Sequence, residues 1–184
     1  DFKKLVALKL IRRGMDSEEI LQRFRNERQI LAALVHPNIA RLLDGGQTDD
    51  GLPYFVMEYV RGLPITAYCD EARLTVRQRL ELFREVCHAV QHAHQKGILH
   101  RDLKPGNILV RRQDGAVQIV DLGLARRHAA DEDGEEITFG LPPGTPDYMA
   151  PEVFGSHIVD VKAELYSFGL ILLELLTGER QPAT

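Results

Sequence analysis

The hydrophobic patterns predict an α+β chain in which strands gather early and helices late. Three observations carry this. The first sixty residues read strand, helix, strand, strand; beyond Leu63 the periodicity turns helical; and residues 160–177 are apolar nearly all round after Leu165. A chain of 184 residues can bury one substantial core, or one small lobe plus part of a larger one.

Leu5 to Ile11 reads as a strand with Ala7, Lys9 and Ile11 on one face and Val6, Leu8 and Leu10 on the other. Asp16 with Glu19 makes a capping box for a helix to about Leu34, stopped by His36 and Pro37. Its stripe Ile20, Phe24, Glu27, Leu31, Leu34 holds a carboxylate where an apolar residue is expected. A buried charge needs a partner, and the inward-facing Lys9 supplies one. Ile39–Leu43 and Tyr54–Tyr59 read as strands around the turn GQTDDGLP, and Val60–Leu63 as a linker.

Thr75 with Gln78 forms a second capping box, opening a helix whose stripe Leu80, Phe83, Cys87, Val90, His94 ends at Gly97. Ile108–Val110 and Val117–Val120 read as a hairpin around Asp114 and Gly115. Arg126–Pro143 has no periodicity and many acids, and is expected to be a mobile loop. Asp160–Thr177 reads as a helix ended by Gly178 and buried on most sides. No internal repeat is visible.

Lys and Arg total 23 against 27 Asp and Glu, a balance that gives no reason to expect nucleic acid or an anionic membrane as partner. Cys69 and Cys87 form neither a disulfide framework nor a metal pattern and are expected to stay reduced, Cys87 on the apolar stripe of its helix. The opening DFKKLVALKL is not a signal peptide, so the chain is expected to start inside a domain. Leu170–Leu176, broken by Glu174, is far short of the ~20 residues of a membrane span, so a cytoplasmic location is expected, with any anchor outside these residues.

Five features share one order and spacing: VALK at Val6 to Lys9, Glu27, HRDLKPGN at His100 to Asn107, Asp121-Leu122-Gly123, and GTPDYMAPE at Gly144 to Glu152. Together they resemble the catalytic core of eukaryotic-like (Hanks-type) serine/threonine protein kinases over nearly the whole chain. The segment YFVMEYVRGLPITAYCDE resembles bacterial members. The resemblance implies a partial two-lobed fold: residues 1–60 as a small antiparallel-sheet N-lobe with one helix, and 61–184 as a mainly helical C-lobe. No Gly-rich loop precedes Lys9, so the first strands and the last helices of the domain are expected outside this chain.

By the same resemblance Asp102 is the base, Lys104 neutralises the migrating phosphoryl group, and Asn107 and Asp121 hold Mg²⁺, with Mn²⁺ as an alternative. Lys9, oriented by Glu27, grips the phosphates of ATP. Met57 lies at the back of the adenine pocket, Glu58 and Val60 bond the base through their backbone, and Ala7 and Leu109 sandwich it. Thr145 and Lys104 bracket the hydroxyl acceptor, which points to Ser/Thr residues of protein substrates. His100, Leu122, Leu31 and Leu42 match the column that aligns the lobes. Arg101, Arg126 and Arg23 match a cradle for a phosphorylated loop residue, here Thr138, the only Ser or Thr between Asp121 and Thr145. A homodimer phosphorylating itself in trans is compatible with this.

Two positions depart from the pattern. Leu122 replaces the usual Phe, and Glu164, within Ala163-Glu164-Leu165-Tyr166-Ser167, replaces an aspartate that accepts backbone hydrogen bonds from the catalytic loop. A pseudokinase or nucleotide-binding scaffold is the alternative these departures raise. A small-molecule phosphotransferase is another, and GTPDYMAPE, which shapes a polypeptide shelf in the family, speaks against it.

Overall fold

The computed structural model describes residues 4–10, 31–32, 34–122, 146–156 and 160–180. Two three-stranded antiparallel sheets organise it. In the first, β1 (Val6–Leu10) and β2 (Leu42–Gln47) flank β3 (Pro53–Glu58). Val6, Leu8 and Leu10 are exposed while Ala7 and Lys9 are half-buried, as the alternation predicts. The register sets Ala7 opposite Met57 and Lys9 opposite Phe55.

The second strand departs from expectation: it begins at Leu42, runs to Gln47, and carries a register shift between Leu42 and Asp44. Ile39 instead makes an isolated parallel bridge to Ile119, because the backbone of Asn38 and Ala40 is taken up by that distant strand. Gly46 permits the extension, since a Cβ there would lie 2.9 Å from the Tyr54 hydroxyl. The turn after it closes through Thr48 N–H to Leu52 O at 2.9 Å.

The expected linker is partly strand. Gly62–Pro64 forms β4, which pairs with β5 (Ile108–Arg111), itself paired with β6 (Val117–Ile119) in the expected hairpin. A side chain at Gly62 would place its Cβ 2.7 Å from Val110 O, so glycine lets the two backbones approach. Helix α1 (Ile65–Glu71) follows at once, then α2 (Val76–Gln95), whose capping box of Thr75 and Gln78 is present in both directions.

The buried face of α2 is Phe83, Val86, Ala89, Val90 and Ala93, so the stripe is rotated from the one expected; Cys87 and Leu80 are exposed. Alanines at 89 and 93 account for the rotation, since small side chains let α2 close on β6 and on the last helix. Cys69 is buried, and burial pushes its thiol above the usual range.

After α3 (Pro151–Ser156), helix α4 (Val161–Thr177) starts at Asp160, whose carboxylate accepts from Ala163 N–H at 2.9 Å, and ends at Gly178 with φ +74°. Burial on most sides is not observed. Ala163, Glu164, Ser167, Phe168, Ile171 and Leu175 are covered, while Leu165, Leu173 and Leu176 are exposed. The main core lies between α2, α4, α1 and the second sheet, with Phe83 edge-on to Phe168 at 5.6 Å. The expected helix from Asp16 to about Leu34 falls outside the described residues except for 31–32, which are helical, and Leu34, which is not; the loop 126–143 lies outside them too.

Candidate active site

The loop between α2 and β5 concentrates the charged groups. Pro105–Asn107 makes one tight 3₁₀ turn, closed by Asn107 N–H to Lys104 O at 2.9 Å. Within it, Asp102 Oδ2 accepts from Lys104 Nζ at 2.7 Å and from Asn107 Nδ2 at 3.1 Å, and the same Nδ2 donates to Asp102 O at 2.7 Å. Val120 N–H donates to Asn107 O at 2.9 Å, which ties this loop to the end of β6. Asp121 follows directly and pairs with Lys9 from the other sheet.

Two non-glycine residues here have left-handed backbones, Arg101 at φ +66° and Asp121 at φ +52°. Such conformations cost about 1–3 kcal/mol each and persist only where surroundings hold them. Glu164 is the holder at Arg101: it is 2% exposed, and its Oε1 accepts from Arg101 N–H at 2.6 Å. The added methylene relative to aspartate thus still permits the backbone bond. Its second oxygen, Oε2, accepts from His94 Nε2 at 2.6 Å, a bond from α2 to α4.

His100 is buried beside this turn. Its Nδ1 accepts from Asp102 N–H at 3.3 Å and its Nε2 donates to Val120 O at 3.1 Å, an arrangement that requires the neutral ring. Burial agrees, holding its pKa below the usual histidine range against the charges of Glu164, Asp102 and Asp121.

A solvent-open pocket lies between the sheets, with Lys9 and Asp121 at its polar end and Leu31, Leu42, Phe55, Met57 and Leu122 along its walls. Leu31 packs against both the Phe55 cluster and the main core, Leu42 against Phe55, and Leu122 against the main core. Val60 is buried, Ala7 and Leu109 are half-buried, and Glu58 N–H donates to Arg41 O at 2.9 Å. Glu27, Arg23, Arg126, Thr138 and Thr145 lie outside the described residues.

The sequence reading gave His94 no role beyond the helical stripe. It also missed Tyr148, whose hydroxyl donates to Glu174 Oε2 at 2.5 Å while Ser167 Oγ donates to Tyr148 O at 2.6 Å. Burial, then the Glu174 carboxylate, push the Tyr148 phenol above its ordinary range. The signal was present: Glu174 interrupts the apolar run Leu170–Leu176, as Glu27 interrupts its own stripe.

Residues 1–183 match the family described as the protein kinase domain, and the chain belongs to that family. It is 38% identical over 180 residues to serine/threonine-protein kinase PknB of Mycolicibacterium smegmatis, which covers 95% of this chain and 28% of that protein. Against serine/threonine-protein kinase pkn3 of Myxococcus xanthus it is 36% identical over 181 residues, covering 95% of this chain and 33% of that one. The chain thus spans about a third or less of the length of these curated relatives. The crystal structure of the Mycobacterium tuberculosis PknI kinase domain superposes with a TM-score of 0.71 at 30% identity, covering 97% of this chain and 66% of that one.

Proposed function

We propose that this chain carries the catalytic core of a protein serine/threonine kinase, moving the γ-phosphoryl group of ATP to Ser or Thr hydroxyls of protein substrates. The observation that carries the reading is the Asp102, Lys104 and Asn107 network set on a strained turn beside the Lys9 and Asp121 pair. Asp102 takes or aims at the hydroxyl proton, and Lys104, already 2.7 Å from it, offsets the charge on the moving group. Lys9 grips the α- and β-phosphates and Glu27 orients it. The base stacks between Ala7 and Leu109 in front of Met57, bonded by the backbone of Glu58 and Val60. Thr145 completes the acceptor side with Lys104.

The donor set fits Mg²⁺, or Mn²⁺ in its place. Asn107 spends its amide nitrogen on Asp102, which leaves its oxygen as the ligand end, and Asp121 supplies a carboxylate. When bound, the ion would neutralise the phosphate charge.

The lobe boundary near residue 60, control by phosphate on Thr138 among Arg23, Arg101 and Arg126, and self-phosphorylation in trans belong to this reading. The test is phosphorylation of the full-length protein and of a peptide with ATP and Mg²⁺, read by mass spectrometry. Asp102→Asn should lower turnover by the ~10²–10⁴ of lost general-base catalysis while nucleotide affinity stays put. Nucleotide binding with no transfer in the wild type would instead establish the scaffold reading. Phosphate found at Thr138, and lower activity in Thr138→Ala, would support the regulatory part.

A further inference from the structure

The turn leading into β2 is stitched to the large lobe through β6. Asn38 O accepts from Ile119 N–H at 2.8 Å, Asn38 Nδ2 donates to Val117 O at 2.9 Å, Ala40 N–H donates to Ile119 O at 2.9 Å, and Gln118 Nε2 donates to Pro37 O at 2.6 Å. His36 stands at the head of this turn. Its Nδ1 accepts Asn38 N–H at 3.1 Å, so the closed turn requires a lone pair on Nδ1 and the hydrogen on Nε2. Its ring lies against that of His92 on α2, with centroids 5.1 Å apart and planes tilted by 38°. The Nε2 atom of His92 is buried and finds no hydrogen-bond partner among the described residues.

We propose that His36 and His92 form an acid-sensitive latch between the small sheet and the large lobe, shut while His36 is neutral and released when it takes a proton. Protonation turns the Nδ1 acceptor into a donor facing the Asn38 N–H, which removes the bond that shapes the turn. It also places a cation against a second imidazole whose nitrogen is shielded from water. Among the described residues the charged and titratable groups facing His36 sit on α2: His92 and His88 oppose its cation, and Glu85 favours it. Burial is the largest influence, and His36 is held below the usual histidine range.

The sign follows from linkage. The closed state's His36 holds its proton less tightly than a released one, so closure is at full strength above the ordinary value of about 6.5 and weakens as pH falls below it. Because β6 runs straight into Val120 and Asp121, release loosens the carboxylate that meets Lys9. That last consequence rests on the kinase reading; the latch itself does not.

Hydrogen exchange of the full-length protein without nucleotide tests it, which keeps failure of the latch separate from failure of the kinase reading. After correction for intrinsic exchange, protection of the Ala40 and Ile119 amides should fall about tenfold from pH ~7.5 to ~5.5. His36→Asn keeps a neutral side-chain acceptor two residues before the Asn38 N–H, so this variant should lose the drop. His92→Phe keeps a ring on that face and should show a smaller drop, which gives a second reading if His36→Asn does not fold. Unchanged protection on acidification in the wild type, or the full drop retained in either variant, would overturn the proposal.

Discussion

Glu164 is the residue on which the strained turn depends. One carboxylate satisfies the Arg101 N–H and holds His94, so it fixes both the left-handed backbone before Asp102 and the contact of α2 with α4. Glu164→Ala leaves a buried N–H without its acceptor, a loss of about 1–3 kcal/mol, and frees the turn to relax. Turnover should fall while nucleotide affinity holds. Urea denaturation with kinetics on the full-length protein checks both, and an Ala variant of unchanged turnover would remove Glu164 from the support of the site. Glu164→Gln keeps an oxygen for Arg101 and should fall between.

At the scale of elements, the second sheet supports the Arg101–Asn107 loop, because β5 begins where the Pro105–Asn107 turn ends. Gly62 sets how closely β4 approaches β5. Gly62→Ala brings its Cβ to 2.7 Å from Val110 O, and a backbone oxygen cannot swing aside. The strands must part, at about 1–3 kcal/mol as for other overpacked sites. Gly106→Ala meets nothing within 4 Å and is the control, expected to stay within about 0.5 kcal/mol. Thermal unfolding of the two variants separates these outcomes.

For the whole molecule, apolar surface is the prominent feature. Leu5, Val6, Leu8 and Leu10 are exposed on and beside β1, and Leu165, Leu173 and Leu176 on α4. Contiguous apolar surface in water favours association. A polypeptide of residues 1–184 alone should therefore associate with rising concentration in sedimentation, and Leu8→Glu with Leu173→Glu should reduce it. A monomer at every concentration would show that these patches are too small or too dispersed to drive contact.

Local signals determined much of this protein. Capping at Thr75, termination at Gly97 and Gly178, the hairpin around Asp114 and Gly115, and the alternation of β1 all depend on neighbours within a few residues, and each is found as read. Within HRDLKPGN, Asp102, Lys104 and Asn107 bond to one another, and Asn107 O takes the N–H of Val120, the residue before Asp121. What pairs across the fold was decided elsewhere. Ile39 joins Ile119 rather than extending β2, α2 turns its alanines inward, and Lys9 meets Asp121 from the other sheet. His94 on Glu164 and His36 on His92 belong to the same kind. Periodicity tells which face of an element is apolar; only packing tells which buried polar atom will find a partner across the core, because that partner is fixed by three-dimensional distance and not by spacing along the chain.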